Sequence, residues 1–140
     1  MRFGGTRVVP PPDSLPITTG TFSWQSFVTT SGARLSETAI HIGTVYLAGQ
    51  IAEYTTQDIR GQTREVLEHI ARLLAEAKSD KAHLLSVQIY ISDLAKFEGM
   101  NAEWDAWVAL GNTPPRATVE AKLADPALLV EIVVVAAQRS

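Results

Sequence analysis

Val130-Glu131-Ile132-Val133-Val134-Val135-Ala136-Ala137 is apolar at every position except Glu131. A run of this length, rich in β-branched residues, forms a strand. Apolar residues on both of its faces place it in the middle of a sheet, covered on both sides. The chain outward from it reads as the rest of that sheet. Asp125-Pro126 breaks the preceding segment, and Arg116 to Leu123 forms a further strand. In Leu84 to Ser92, Val87, Ile89 and Ile91 alternate with Gln88 and Tyr90, the period of a strand. Between these two lies a helix capped by Ser92 or Asp93, with Phe97, Met100, Trp104, Trp107 and Val108 as its apolar stripe. Gly111 to Pro115 cannot continue it.

Further upstream, Ile59, Val66, Leu67, Ile70, Leu73, Leu74 and Ala77 fall on one face of a long helix from about Thr56 to Lys78. Its other face carries Arg60, Arg64, Glu65, Glu68, Arg72 and Glu76. Thr38 to Ile42 and Val45 to Leu47 form a hairpin joined at Gly43-Thr44, and Phe22 to Thr30 forms a first strand. Residues 1–20 hold Pro10-Pro11-Pro12, Pro16, Gly4-Gly5 and Gly20, and read as an irregular, Pro-rich extension ahead of one domain over 21–140. The order β, β-β, α, β, α, β, β is that of an α+β fold: two βαβ-like units, a mixed sheet and two helices on one of its faces. The other face is left bare. An apolar bare face calls for a partner, and small closed homo-oligomers are the usual answer.

At 140 residues the chain suits a single domain with an ordinary share of apolar (46%) and charged (19%) residues. A formal charge of -3 with no Lys/Arg cluster argues against a nucleic-acid partner. No apolar run is long enough for a membrane span, and no signal peptide is visible. The absence of cysteine excludes disulfides, thiolate metal ligands and thiol catalysis, and is compatible with a reducing, cytoplasmic setting.

Two charged residues stand out. Arg116 opens a strand after Pro114-Pro115; it is either a surface ion-pair arginine or a fork poised for a planar carboxylate. Glu131 interrupts the apolar run; it is either a pairing glutamate or a cleft carboxylate able to move protons or orient a water. His41, His69 and His83 lack metal-ligand spacing, and no phosphate loop or nucleophile elbow occurs. The Trp104 and Trp107 stripe reads as core.

Val45-Tyr46-Leu47-Ala48-Gly49-Gln50-Ile51, the helix from Gln62-Thr63 to Leu74, Val87 to Leu94, Asn101 with Trp104, Pro115-Arg116-Ala117-Thr118-Val119-Glu120 and Val130-Glu131-Ile132 occur in this order. Together they resemble the RidA/YjgF family of reactive imine deaminases, over about Ala33 to Gln138. The resemblance implies a chorismate-mutase-like subunit in a barrel-like homotrimer, with clefts between subunits. It implies hydrolysis of small 2-imino or 2-enamino acids to 2-oxo acids and ammonia, without cofactor or metal. In that picture Arg116 clamps the substrate carboxylate and Glu131 of the same chain orients the water. Gly49 brings backbone close to the ligand and Asn101 lies near the cleft. Leu35, Ala48 and Thr118 stand where the family's deaminases commonly carry tyrosine, serine and cysteine. The alternative is a non-catalytic trimer that binds small carboxylate metabolites in the same clefts. A ribonuclease activity, attached to some relatives, is the reading the acidic balance favours least.

Overall fold

The structure, a computed structural model, describes residues 6–9, 26–30 and 33–140. Its strands are β1 (Thr6–Val9), β2 (Ser26–Thr30), β3 (Ser36–His41), β4 (Thr44–Leu47), β5 (Leu84–Ile91), β6 (Arg116–Glu120) and β7 (Val130–Ala137). Its helices are α1 (Ile59–Glu76) and α2 (Phe97–Trp107), with 3-10 turns at Lys81–His83 and Leu94–Lys96. All seven strands form one mixed sheet in the order β1-β2-β3-β4-β7-β5-β6. Among the described strands only β5 and β6 are parallel neighbours. β7 runs antiparallel to both β4 and β5 and lies between them. The α1 crossover therefore leaves a gap one strand wide, and the last strand of the chain fills it. None of the helices among the described residues is long and apolar enough to cross a membrane.

Val130, Ile132, Val134 and Ala136 are buried in one core with Val66, Leu67, Ile70 and Leu74 of α1 and Met100 and Trp104 of α2. The alternate residues Glu131, Val133, Val135 and Ala137 are only half-buried. The expectation that β7 is covered on both faces is thus corrected: this chain covers one, because both helices pack on the same side. On the open side Tyr46 and Val119 are 49% and 44% exposed. The bare apolar face expected from the element order is present.

Local details follow from particular residues. Ile42 and Gly43 both have positive φ (48° and 73°) and make a two-residue turn, since His41 pairs with Thr44. Such a turn matches the twist of a hairpin, and it falls one residue earlier than the Gly43-Thr44 junction read from the sequence. In β5, Leu84 opposes Ala136 and Ser86 opposes Val135, so Leu85 is an extra, bulged residue. The bulge lets Leu84 and Val87 both face the core although two residues separate them. Asp93 does not cap α2; its side chain accepts from Ala95 N in the 3-10 turn that leads into it. Asp80 caps the other 3-10 turn, and the hydrogen bond from His83 holds its carboxyl below its ordinary value.

Thr6–Val9 is not irregular chain. It pairs with β2, Thr6 opposite Thr29 and Val9 opposite Ser26, as suits the short Thr-Arg-Val-Val run between the glycines and prolines. The rest of the extension and the Phe22 to Gln25 part of the expected first strand lie outside the described residues.

α1 starts at Ile59 because Asp58 accepts from Gly61 N at 2.9 Å and caps it. One turn in, the fully buried Gln62 holds two distant loops. Its Nε2 donates to Thr55 O (3.3 Å), Gln57 O (3.2 Å) and Ala127 O (2.9 Å), and its Oε1 accepts from Leu129 N (2.9 Å). Replacing a buried amide by an apolar side chain strands these groups. Gln62→Leu should lower the unfolding free energy by about 3 kcal/mol, read by urea titration at fixed protein concentration; an unchanged midpoint would contradict this role.

Candidate functional site

Arg116 is seated by β5. Val87 N donates to Pro115 O at 3.0 Å, and Arg116 pairs in register with Val87. Register partners project to the same side of a sheet, and Val87 is buried among the helices. The arginine side chain therefore lies on the helix side. There one N–H donates to Asn101 Oδ1 at 2.9 Å, and the guanidinium carbon sits 5.2 Å from the centre of the Trp104 ring. Asn101 and Trp104 are three residues apart on α2, so they share a face of that helix. Trp104 is 6% exposed and packs against Trp107, ring centres 5.6 Å apart, while Lys81 Nζ lies 5.6 Å from the Trp107 ring centre. Among the described residues Arg116 has no carboxylate partner. The ion-pair alternative left open by the sequence does not describe it.

Thr118 projects to the same side, in register with Ile89. Its hydroxyl is shielded from solvent and has no hydrogen-bond partner among the described residues. In this conformation it presents nothing to a ligand.

Glu131 lies on the other side of the sheet. It pairs in register with the half-buried Tyr90. Gln50 and Ile132 exchange both backbone hydrogen bonds (2.9 and 3.1 Å), which carries the β4 pairing past its end. Gln50 and Ile132 point into the core, so Gly49 and Ile51 flank Glu131 on the open side. A methyl at Gly49 would overlap Oε2 of Glu131 and crowd its Cδ and Cγ. The carboxylate occupies the space that the missing side chain leaves. Ala48 sits beside it, its N–H bonded to Glu37 O and its carbonyl accepting from Gln50 Nε2. Leu35 is 54% exposed, ahead of β3.

The expected site residues thus fall into two groups. Arg116 and Asn101, with Thr118 behind them, form one; Glu131, Gly49 and Ala48 form the other. They lie two strands apart, offset by three residues along the strands, and on opposite faces of the sheet. The expectation that Arg116 and Glu131 of one chain serve one cleft is corrected accordingly, since no single cleft of one subunit faces both sides of its own sheet. Trp104, assigned to the core, also belongs to the arginine group. The i, i+3 spacing of Asn101 and Trp104 and the habit of arginine to stack on aromatic faces were its available signals. Among the described residues no group of three or more His, Asp or Glu is arranged to hold a metal ion.

A small α+β domain that carries an arginine without a carboxylate partner among the described residues on one side of its sheet, and a carboxylate over a glycine on the other, is the frame for comparison. Residues 28–138 match the family model described as Endoribonuclease L-PSP. RutC family proteins of Haemophilus influenzae and Haemophilus ducreyi are 49% and 44% identical, over 74% of this chain and 90% and 89% of theirs. A crystal structure of a YjgF family member from Neisseria meningitidis superposes with a TM-score of 0.76 at 45% identity, covering 78% of this chain and 91% of that one. The chain belongs to the RidA/YjgF family.

Gly49 has no positive φ, so alanine suits its backbone, and the atoms nearest its methyl belong to the Glu131 side chain. Gly49→Ala should shift the unfolding midpoint by less than about 5 °C, while a crystal structure of the variant shows the Glu131 side chain turned away. Glu131 found in place would refute the account of the pair.

Proposed function

We propose that three copies of this chain close head to tail into a barrel-like, chorismate-mutase-like ring, and that each junction hydrolyses small 2-imino or 2-enamino acids to 2-oxo acids and ammonia. One observation carries the reading: Arg116 is positioned by Asn101 and Trp104, yet no carboxylate among the described residues neutralises it. A cation kept without a counter-ion awaits an anion, and its planar fork fits a carboxylate in two parallel hydrogen bonds. The two groups of site residues support the ring. Two different patches on opposite sides of a subunit meet through a heterologous contact, which closes into a cyclic assembly. The open apolar sheet face supplies the surface such a contact covers.

At the junction, Arg116 of one copy holds the substrate carboxylate and Glu131 of the next faces the C=N carbon. Glu131 takes a proton from water as the oxygen adds to that carbon, giving a carbinolamine. The proton passes to nitrogen, Glu131 then carries the hydroxyl proton to the same nitrogen, the C–N bond breaks, and the C=O forms as ammonia leaves. An enamine first takes a proton at its β-carbon to become the imine. The substrate is already electrophilic, so positioning and one base suffice. The reaction needs no cofactor and suits a cytoplasmic protein.

A binding role without turnover is the second reading. Leu35 and Ala48 bring no hydroxyl, and that of Thr118 is shielded. An endoribonuclease activity, which the family's description carries, has less support. The formal charge is -3, and the three histidines lie on β3, α1 and a 3-10 turn, with His69 and His83 bonded to carboxylates.

Ammonia release from freshly generated 2-iminobutyrate should exceed the buffer rate and fall back to it in Arg116→Ala and Glu131→Ala. Mixing the two inactive variants and reassembling them should restore about a quarter of wild-type activity, since a quarter of heterologous junctions then pair two intact halves. No recovery on mixing would place both residues in one subunit's site. Stabilisation by 2-oxobutyrate without ammonia release would select the binding role.

A further inference from the structure

We infer that Trp104 is a positioning residue for carboxylate recognition: its indole face sets the plane of the Arg116 guanidinium, and so sets the affinity of the site. The inference rests on the reading of Arg116 as the anion clamp. A guanidinium has two kinds of contact surface. Its N–H donors all lie in its plane and point outward from the edge, while its faces donate nothing. The guanidinium carbon lies over the Trp104 ring, 5.2 Å from its centre, and Asn101 takes one edge donor at 2.9 Å. Among the described residues its other donors have no hydrogen-bond partner.

The choice of an aromatic restraint matters for charge. A glutamate at this place would also fix the arginine, but it would neutralise the cation and occupy the same edge that a substrate carboxylate needs. An indole attracts the cation through its ring quadrupole and leaves both the charge and the donors in place. The platform itself is braced. Trp104 is almost wholly buried, Trp107 packs against it at an interplanar angle of 48°, and Lys81 covers Trp107. Two indoles thus stand in a row with a cation at each end, and only the Arg116 end carries Asn101 as a second restraint.

The test uses the full chain and calorimetric titration with sodium 2-oxobutyrate, and then benzoate, rather than turnover. Trp104→Leu keeps an apolar side chain and removes the ring; it should weaken binding about 10-fold. Trp104→Phe keeps a smaller ring and should stay within about 3-fold of wild type. In the Arg116→Ala background neither change should matter further, because the platform acts only through the arginine. Where turnover is measured, the loss should appear in KM with kcat nearly unchanged. Should Trp104→Leu fail to fold, Trp104→Met, which is larger and also lacks the ring, takes its place with the same expected loss of about 10-fold. Wild-type affinity in both Trp104 variants, or an equal loss with Arg116 absent, overturns the inference while the clamp stands. Carboxylate binding that is absent from wild type, or indifferent to Arg116→Ala, overturns the clamp and this inference with it.

Discussion

A single buried amide decides whether the two ends of this domain meet. Gln62 is fully enclosed, and its side chain joins the segment before α1 to the segment before β7. Those segments are far apart in sequence, and without the amide each would leave part-buried backbone groups short of this partner. The loop at Ala127 to Leu129 then delivers β7 into the slot between β4 and β5. Until that strand is in place the sheet is two pieces. Once it is in place, the alternation along β7 sends Ile132 into the core and Glu131 to the open side, over Gly49. The core and half of the candidate site follow from the same docking event.

The other half has a separate origin. Among the described strands β6 pairs with β5 alone, at the margin of the sheet, and its first residue is Arg116. Pro114 and Pro115 restrict the approach to that strand, and α2 supplies the Asn101 and Trp104 contacts. The arginine is therefore ordered by the fold and not by a ligand, which lowers the entropy a ligand must overcome. The carboxylate half is made by the absence of a side chain, the arginine half by the presence of three.

Much of the fold was legible in the residues because periodicity is a local signal. The long helix, the hairpin, β5 and the limits of β7 all follow from apolar spacing in short windows. What was not legible depends on pairing. Nothing in Val130–Ala137 says that its neighbours are β4 and β5, and apolar residues on both faces read as two-sided burial when one side is merely uncovered by this chain. β1 was masked by its glycine and proline flanks. For the site, Arg116, Glu131, Gly49 and Asn101 could be named from the resemblance, but not their sides. The side of Arg116 depends on its parallel register with Val87, which no single strand encodes. The dual character of Trp104 was hidden because a core residue and a platform for a cation present the same apolar spacing.

The strand at Thr6–Val9 lies ahead of residues 28–138, which carry the family match. It pairs with β2, so the backbone groups along one side of β2 are used by the chain itself. Among the described residues the sheet ends in a four-residue strand on that side and a five-residue strand, β6, on the other. Strands this short are poor templates for the edge-to-edge growth that leads to fibrils. The added strand thus gives a sheet rich in valine and isoleucine a measure of protection against aggregation.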